Sequence, residues 1–192
     1  MKVVAFSGSP RTGGNTERMI QRIFSILEEE GIETELIQIG EKPLRGCNAC
    51  MKCYENKDET CVIDTDNLNE YVRKMTEADA ILLGSPTYFA DVTAEMKAFI
   101  DRCGMIAKAN GDLFQRKVGA AVVSARRSGA IHAFDTMNHF FLISQMIVPG
   151  SSYWNIGIGR APGEVEDDGE GMITMEILAN NIAWLLKKIH QK

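Results

Sequence analysis

Short apolar runs and helix-spaced apolar stripes alternate along this chain. Val3 to Phe6 is an unbroken apolar run, the pattern of a strand covered on both faces of a parallel sheet. Between Thr16 and Glu30 the period changes: Met19, Ile20, Ile23, Phe24 and Leu27 fall on one side of a helix, and Gly31 offers a left-handed stop. Glu33 to Ile39 reads as a second strand, and Leu68, Tyr71, Val72 and Met75 mark a second helix. Ala80 to Gly84 is a third strand, followed by a helix on Met96, Phe99, Ile100 and Cys103. Val118 to Ser124 reads as a fourth strand, Ile131 to Gln145 as a fourth helix and Met146 to Val148 as a fifth strand. Met172, Met175, Leu178, Ile182, Leu185 and Ile189 form a last amphipathic helix. Five strands interleaved with five helices predict a doubly wound α/β sandwich. Sheets of this kind bind ligands beyond the carboxyl ends of their strands, so the loops after strands one, three and four are where chemistry is expected.

Composition narrows the picture. A chain of 192 residues, 45% hydrophobic and 24% charged, suits one globular domain, read as residues 1–192, with no repeats or low-complexity segment. A net charge of −5 argues against nucleic-acid binding. The apolar runs are too short to span a membrane, and the N-terminus does not read as a signal peptide. A cytoplasmic location is expected, where thiols stay reduced.

The loop after the first strand is SGSPRTGGNT, residues 7–16. Its glycines, Gly14 among them, let backbone N–H groups approach an anion. Ser9, Asn15 and Thr16 add short polar side chains, and Arg11 adds a cation. The helix that follows contributes free N–H groups and the positive end of its dipole. This is a phosphate cradle, but neither a P-loop nor a G-x-G-x-x-G fingerprint.

Residues 47–61, CNACMKCYENKDETC, hold four of the five cysteines at the spacing C-x2-C-x2-C-x7-C. They could bind metal, pair as disulfides, or serve as small apolar residues. A reducing compartment disfavours disulfides.

The motif S-G-S-P-R after strand one and G-S-P-T-Y after strand three resemble those of the flavodoxin-like NAD(P)H-dependent FMN reductases. The compact cysteine motif after strand two resembles the iron–sulfur flavoprotein subgroup, and the resemblance covers essentially the whole chain. It implies a flavodoxin-like, five-stranded parallel sheet of order 2-1-3-4-5 with helices on both faces and a cysteine-rich insertion at about 45–64. It also implies FMN, with its phosphate on Ser9, Arg11, Gly14, Asn15 and Thr16. The flavin ring would lie against Pro86, Thr87, Tyr88 and Phe89, a stretch that offers both backbone donors and aromatic surface. The loop after strand four, with Ser124, Arg126 and Gly129, would face the flavin, and Arg126 and Arg127 would offset its negative charge.

For the cysteines, the resemblance implies a [4Fe–4S] cluster on Cys47, Cys50, Cys53 and Cys61. Ferredoxins share the C-x2-C-x2-C run, but their fourth cysteine comes three residues later and precedes proline. Here Cys61 follows a seven-residue spacer and precedes Val62. Free or redox-active thiols and zinc remain the alternatives, and Cys103 reads as core. The implied activity is electron transfer from NADPH or NADH, or from a reduced carrier, through FMN to an acceptor such as a redox protein. A plain NAD(P)H:FMN or quinone reductase without a cluster is one alternative, and a non-enzymatic flavin electron carrier is another. No side chain is expected to be catalytic, because flavin N5 carries the chemistry. A homodimer or homotetramer is expected. Lys97 and Arg102 read as structural or interfacial, and His132 and His139 as packing or surface. The stretch 150–171 reads as a long loop, with Trp154 as cap or neighbour contact and the acidic run 164–170 as solvated.

Overall fold

The computed structural model describes residues 1–191. In chain order it contains β1 (Lys2–Ser7), α1 (Asn15–Glu29), β2 (Glu33–Gln38), α2 (Lys52–Asn56), α3 (Leu68–Glu77) and β3 (Ala80–Pro86). Then follow α4 (Ala94–Ala109), β4 (Val118–Ala125), α5 (Ala130–Ile143), β5 (Ile156–Ile158), a short 3-10 turn (Glu164–Asp167) and α6 (Gly169–His190). The strands form one parallel sheet in the order β2-β1-β3-β4-β5. No helix among the described residues is long and apolar enough to cross a membrane.

Alternation along the strands divides the core between the two faces of the sheet. Val3, Ala5, Leu82 and Val122 face α1 and α6, where Met19, Ile23, Leu27 and Leu178 are fully buried. Val4, Phe6, Leu83 and Val123 face the other side, covered by α3, α4 and α5. There Phe6 packs against Phe99 at 4.7 Å and against Tyr71 at 5.8 Å between ring centroids. Because β1 pairs with β2 on one side and β3 on the other, the chain reverses its winding between β1 and β3. That reversal opens a crevice at their carboxyl ends, the place where such sheets take ligands.

The fifth strand does not lie at Met146–Val148. Ile147 makes only an isolated parallel bridge to Val118, while the strand proper, Ile156–Ile158, pairs with Val123, Ser124 and Ala125. One edge of β4 is thus covered twice, at its start and at its end, by two pieces separated by an eight-residue excursion, 148–155. The apolar triplet at 146–148 attracts the expectation, but the excursion carries the chain off the edge before a ladder forms. Ile156 and Ile158, with glycine between them, are short enough to read as loop. The stretch 150–171 is therefore not a loop throughout: it includes this strand and the 3-10 turn. Its acidic run is also anchored. Glu166 pairs with Arg18 at 2.9 Å, Glu164 accepts from the Arg160 N–H at 2.6 Å, and Asp168 caps α6 at Gly171 N.

Candidate functional site

Three chain segments converge at the carboxyl end of the sheet. The Gly8 N–H donates to the Gly84 carbonyl at 2.8 Å, and the Thr87 N–H donates to the Ser124 carbonyl at 2.8 Å. Thr93, the N-cap of α4, donates its hydroxyl to the Gly8 carbonyl at 2.9 Å and takes the Met96 N–H at 3.3 Å. Ser9 folds its own loop by accepting the Arg11 N–H at 3.2 Å, and Thr16 and Ser124 share a buried hydroxyl pair at 2.8 Å. The result is a cleft of about 290 Å³, at the small end of the range for small-molecule sites.

The cleft wall brings together Ser9, Arg11, Gly14, Asn15 and Thr16 from the first loop, Pro86, Thr87 and Tyr88 from the third, and Ser124 and Arg126 from the fourth. Gly159, Arg160 and Pro162, after β5, close the remaining side. Three arginines, Arg11, Arg126 and Arg160, thus line a wall that contains no carboxylate residue. In a chain of net charge −5 this is a local positive field suited to a phosphate. Asn15 lines the cleft but also ties it together: its Oδ1 accepts from Gly163 N at 2.8 Å, so the 159–165 segment is clipped over the first loop.

Phe89 and Gly129 stand just outside the cleft lining. Tyr88 and Asp91 exchange backbone hydrogen bonds across a tight turn whose central residues, Phe89 and Ala90, have φ of 48° and 65°. Positive φ at both positions is the mark of a type I′ turn, costly for a bulky residue. It leaves Phe89 fully exposed at the mouth. Gly129, at φ 86°, supports this turn from below; a Cβ there would come within 3.1 Å of Ala90. Trp154 does not cap this cleft. It packs edge-on to Tyr153 at 4.4 Å and lines a separate apolar groove with Phe134 and Leu142.

The cysteine segment leaves the same end of the sheet after β2 and lies against the middle of α4. Cys47, Cys50, Cys53 and Cys61 border one small concavity whose floor is Arg102, Met105 and Ile106. Ala49 and Met51 take positive φ, 53° and 60°, which turns the chain tightly around the first three cysteines. The one-turn helix α2, not foreseen from the sequence, follows. Cys61 is held separately: Asn69 of α3 accepts its N–H at 2.7 Å and donates to its carbonyl at 2.9 Å. Burial pushes the Cys53 thiol up, against backbone hydrogen bonds that lower it. All five cysteines are free, and Cys103 is buried in the core.

Of the two readings of Arg102, structural or interfacial, the structure supports the structural one. The side chain is 1% exposed and forms an ion pair with Asp66, itself 7% exposed, at 2.5 Å. It also donates to the Arg45 carbonyl at 3.2 Å and the Ile63 carbonyl at 2.8 Å, so it fastens both stems of the cysteine segment. Burial works against its charge, but Asp66 and the adjacent Cys61 sulfur outweigh that and raise its pKa.

Residues 1–161 match the sequence profile of the NADPH-dependent FMN reductases. The chain belongs to this family. It is 38% identical to an iron–sulfur flavoprotein of Methanocaldococcus jannaschii, covering 98% of this chain and 99% of that one. It is 33% identical to an iron–sulfur flavoprotein of Methanosarcina thermophila, covering 100% and 98%. These relatives place it in the iron–sulfur flavoprotein subgroup. Among solved structures, RosB with a bound 8-demethyl-8-formylriboflavin-5′-phosphate intermediate superposes with a TM-score of 0.74 at 19% identity, covering 98% of this chain and 80% of that one. An archaeal flavodoxin superposes with 0.64 at 21% identity, covering 97% and 99%. These structural likenesses support the flavodoxin-like fold.

As a member of the FMN reductase family the chain is an FMN-dependent flavoprotein oxidoreductase, and its cleft fits that cofactor. Thr87 Oγ1 is buried in the cleft wall with no partner in the protein, a hydroxyl left for a ligand. The sequence motifs point to the three strand-end loops. They do not reveal Arg160, which lies beyond the displaced fifth strand, or Gly40, whose role is purely steric. A Cβ on Gly40 would stand 2.4 Å from the Gly8 and Ser9 carbonyl oxygens. Gly40→Ala is therefore expected to push the first loop inward and weaken FMN binding about tenfold, roughly 1.4 kcal/mol. Flavin fluorescence titration checks it; unchanged affinity would mean that the loop yields freely.

Proposed function

We propose that this protein takes electrons from a reduced nicotinamide and passes them, by way of FMN and a [4Fe–4S] cluster on Cys47, Cys50, Cys53 and Cys61, to an electron acceptor. When bound, FMN supplies two-electron acceptance with single-electron release, and the cluster supplies one-electron storage. The protein's own groups do the rest. Arg11, Arg126 and Arg160 would hold the phosphate, and Thr87 and the backbone beside it would meet the ring's polar edge. The 88–91 turn presents aromatic surface at the mouth, where a nicotinamide would approach.

The observation that carries the cluster reading is the cysteine concavity. Four cysteines border one small space with mainly apolar walls and the buried Arg102 at its edge. No three ligating groups among the described residues converge on a single ion. A cubane needs no such convergence, because its irons sit at separate corners and each takes one thiolate. Leu142, Tyr153 and Trp154, exposed around the apolar groove, support the expected homodimer or homotetramer.

Protein prepared without oxygen is expected to contain about four irons, matching sulfide and one FMN per chain, and Cys50→Ala is expected to lose the iron while keeping FMN. A parent protein with FMN but negligible iron would instead be a plain FMN reductase with free thiols.

A further inference from the structure

Arg102 does more than close an ion pair. Two of its three guanidinium nitrogens are satisfied, by Asp66 and the carbonyls of Arg45 and Ile63. The third, Nε, is buried with no hydrogen-bond partner. Buried donors without partners are rare and costly in native proteins, and one on a fully desolvated cation is rarer still. This nitrogen belongs to the side chain that floors the cysteine concavity, beside the Cys61 sulfur. The surrounding floor, Met105 and Ile106, is apolar and offers it nothing else.

We infer that Arg102 is a positioning and tuning residue for the cluster: its Nε–H donates to the sulfur of Cys61 when that sulfur ligates iron. The inference rests on the cluster reading above. A thiolate bound to iron keeps lone pairs and negative charge, so it remains an acceptor for a charge-assisted hydrogen bond. The backbone of Cys61 is already held by Asn69 from α3, and Arg102 adds a grip on its sulfur from α4. The fourth ligand thereby has its own two-point anchor, independent of the tight 47–53 turn, which accounts for a cysteine set off from the compact motif by a seven-residue spacer. Reduction adds negative charge to the cluster. Hydrogen bonds to its sulfurs and a nearby cation favour that state and raise its potential.

The test is the one-electron potential of the cluster, followed by electron paramagnetic resonance during an anaerobic dithionite titration of the FMN-loaded protein. Arg102→Met combined with Asp66→Asn removes cation and counter-ion together, so that no unpaired charge stays buried. The cluster's reduction equilibrium is expected to fall about tenfold, 59 mV for one electron, with the FMN potential unmoved. Arg102→Lys, which keeps the charge but lacks the Nε–H, is expected to lie between the two. A variant that retains four irons at the parent potential overturns the inference and leaves the cluster reading standing. A parent without iron overturns both, and is recognised in the parent itself. Should the double variant fail to fold or to hold iron, Arg102→Lys is judged by the same criterion. Iron lost from Arg102→Lys protein of unchanged FMN affinity also supports the inference, since the guanidinium then holds the Cys61 arm in place.

Discussion

Replacing Arg11 and Arg160 together by alanine is expected to weaken FMN binding about a hundredfold, roughly 2.7 kcal/mol. Both side chains line the cleft and both are exposed. Each is therefore assigned about 1.4 kcal/mol, below the range for a desolvated hydrogen bond to a charged group. The effect is large because no residue of the cleft lining is a carboxylate; only Glu164, just outside it, feels the Arg160 charge. The same reasoning predicts that added salt weakens the parent's affinity more than the variant's, since exposed charges are screened. Equal affinities, or equal salt dependence, would place the phosphate elsewhere. Arg126 stays as the remaining cation, so the variant still binds flavin at high concentration and the difference is measurable by titration.

Arg102→Ala is expected to cost the apoprotein about 3–5 kcal/mol, because it strands Asp66 as a buried, unpaired charge. For a chain of this size that corresponds to a fall in melting temperature of roughly 6–20 °C. Asp66 loses its guanidinium, the stems at Arg45 and Ile63 lose their donor, and the cysteine segment is released at both ends. Measured by calorimetry without metal or flavin, the effect separates the structural duty of this arginine from its duty toward a cluster. A drop of only about 2 °C, less than 1 kcal/mol, would show that the segment holds itself without the pair. Asp66→Asn is expected to be costly too, because it leaves the Arg102 guanidinium as the unpaired buried charge, and a single amide oxygen cannot accept from both the Arg45 and Leu68 N–H groups that two carboxylate oxygens now serve.

Much of this was legible in the residues, for identifiable reasons. The apolar run Val3–Phe6 and the fully buried β4 declare themselves because parallel strands covered on both faces admit few polar positions. The helical stripe of α1 matches its buried apolar residues, Met19, Ile20, Ile23, Phe24 and Leu27. Loops with strong local chemistry, 7–16 and 85–88, likewise lead to the cleft. Features set by distant contacts stay hidden. The fifth strand is three residues long and owes its existence to an open edge of β4 rather than to its own propensity. Arg160 reaches the cleft only because Asn15 holds Gly163 from 148 positions away. Arg102 reads as structural or interfacial from its helix alone, and only the folded-back cysteine segment, with Asp66, shows what it holds. Asn15 shows a third pattern: its position is legible, but its second duty as a clip is not.

The most direct test of the account is to mix the anaerobic, FMN-loaded protein with NADPH, and separately with NADH, and to follow flavin absorbance and the paramagnetic signal of the cluster in the same reaction. Flavin bleaching by at least one nucleotide is expected, followed by a reduced-cluster signal that is absent from Cys50→Ala. A flavin that neither nucleotide reduces, in protein that dithionite reduces fully, would contradict it and leave a flavin electron carrier with no nicotinamide chemistry of its own.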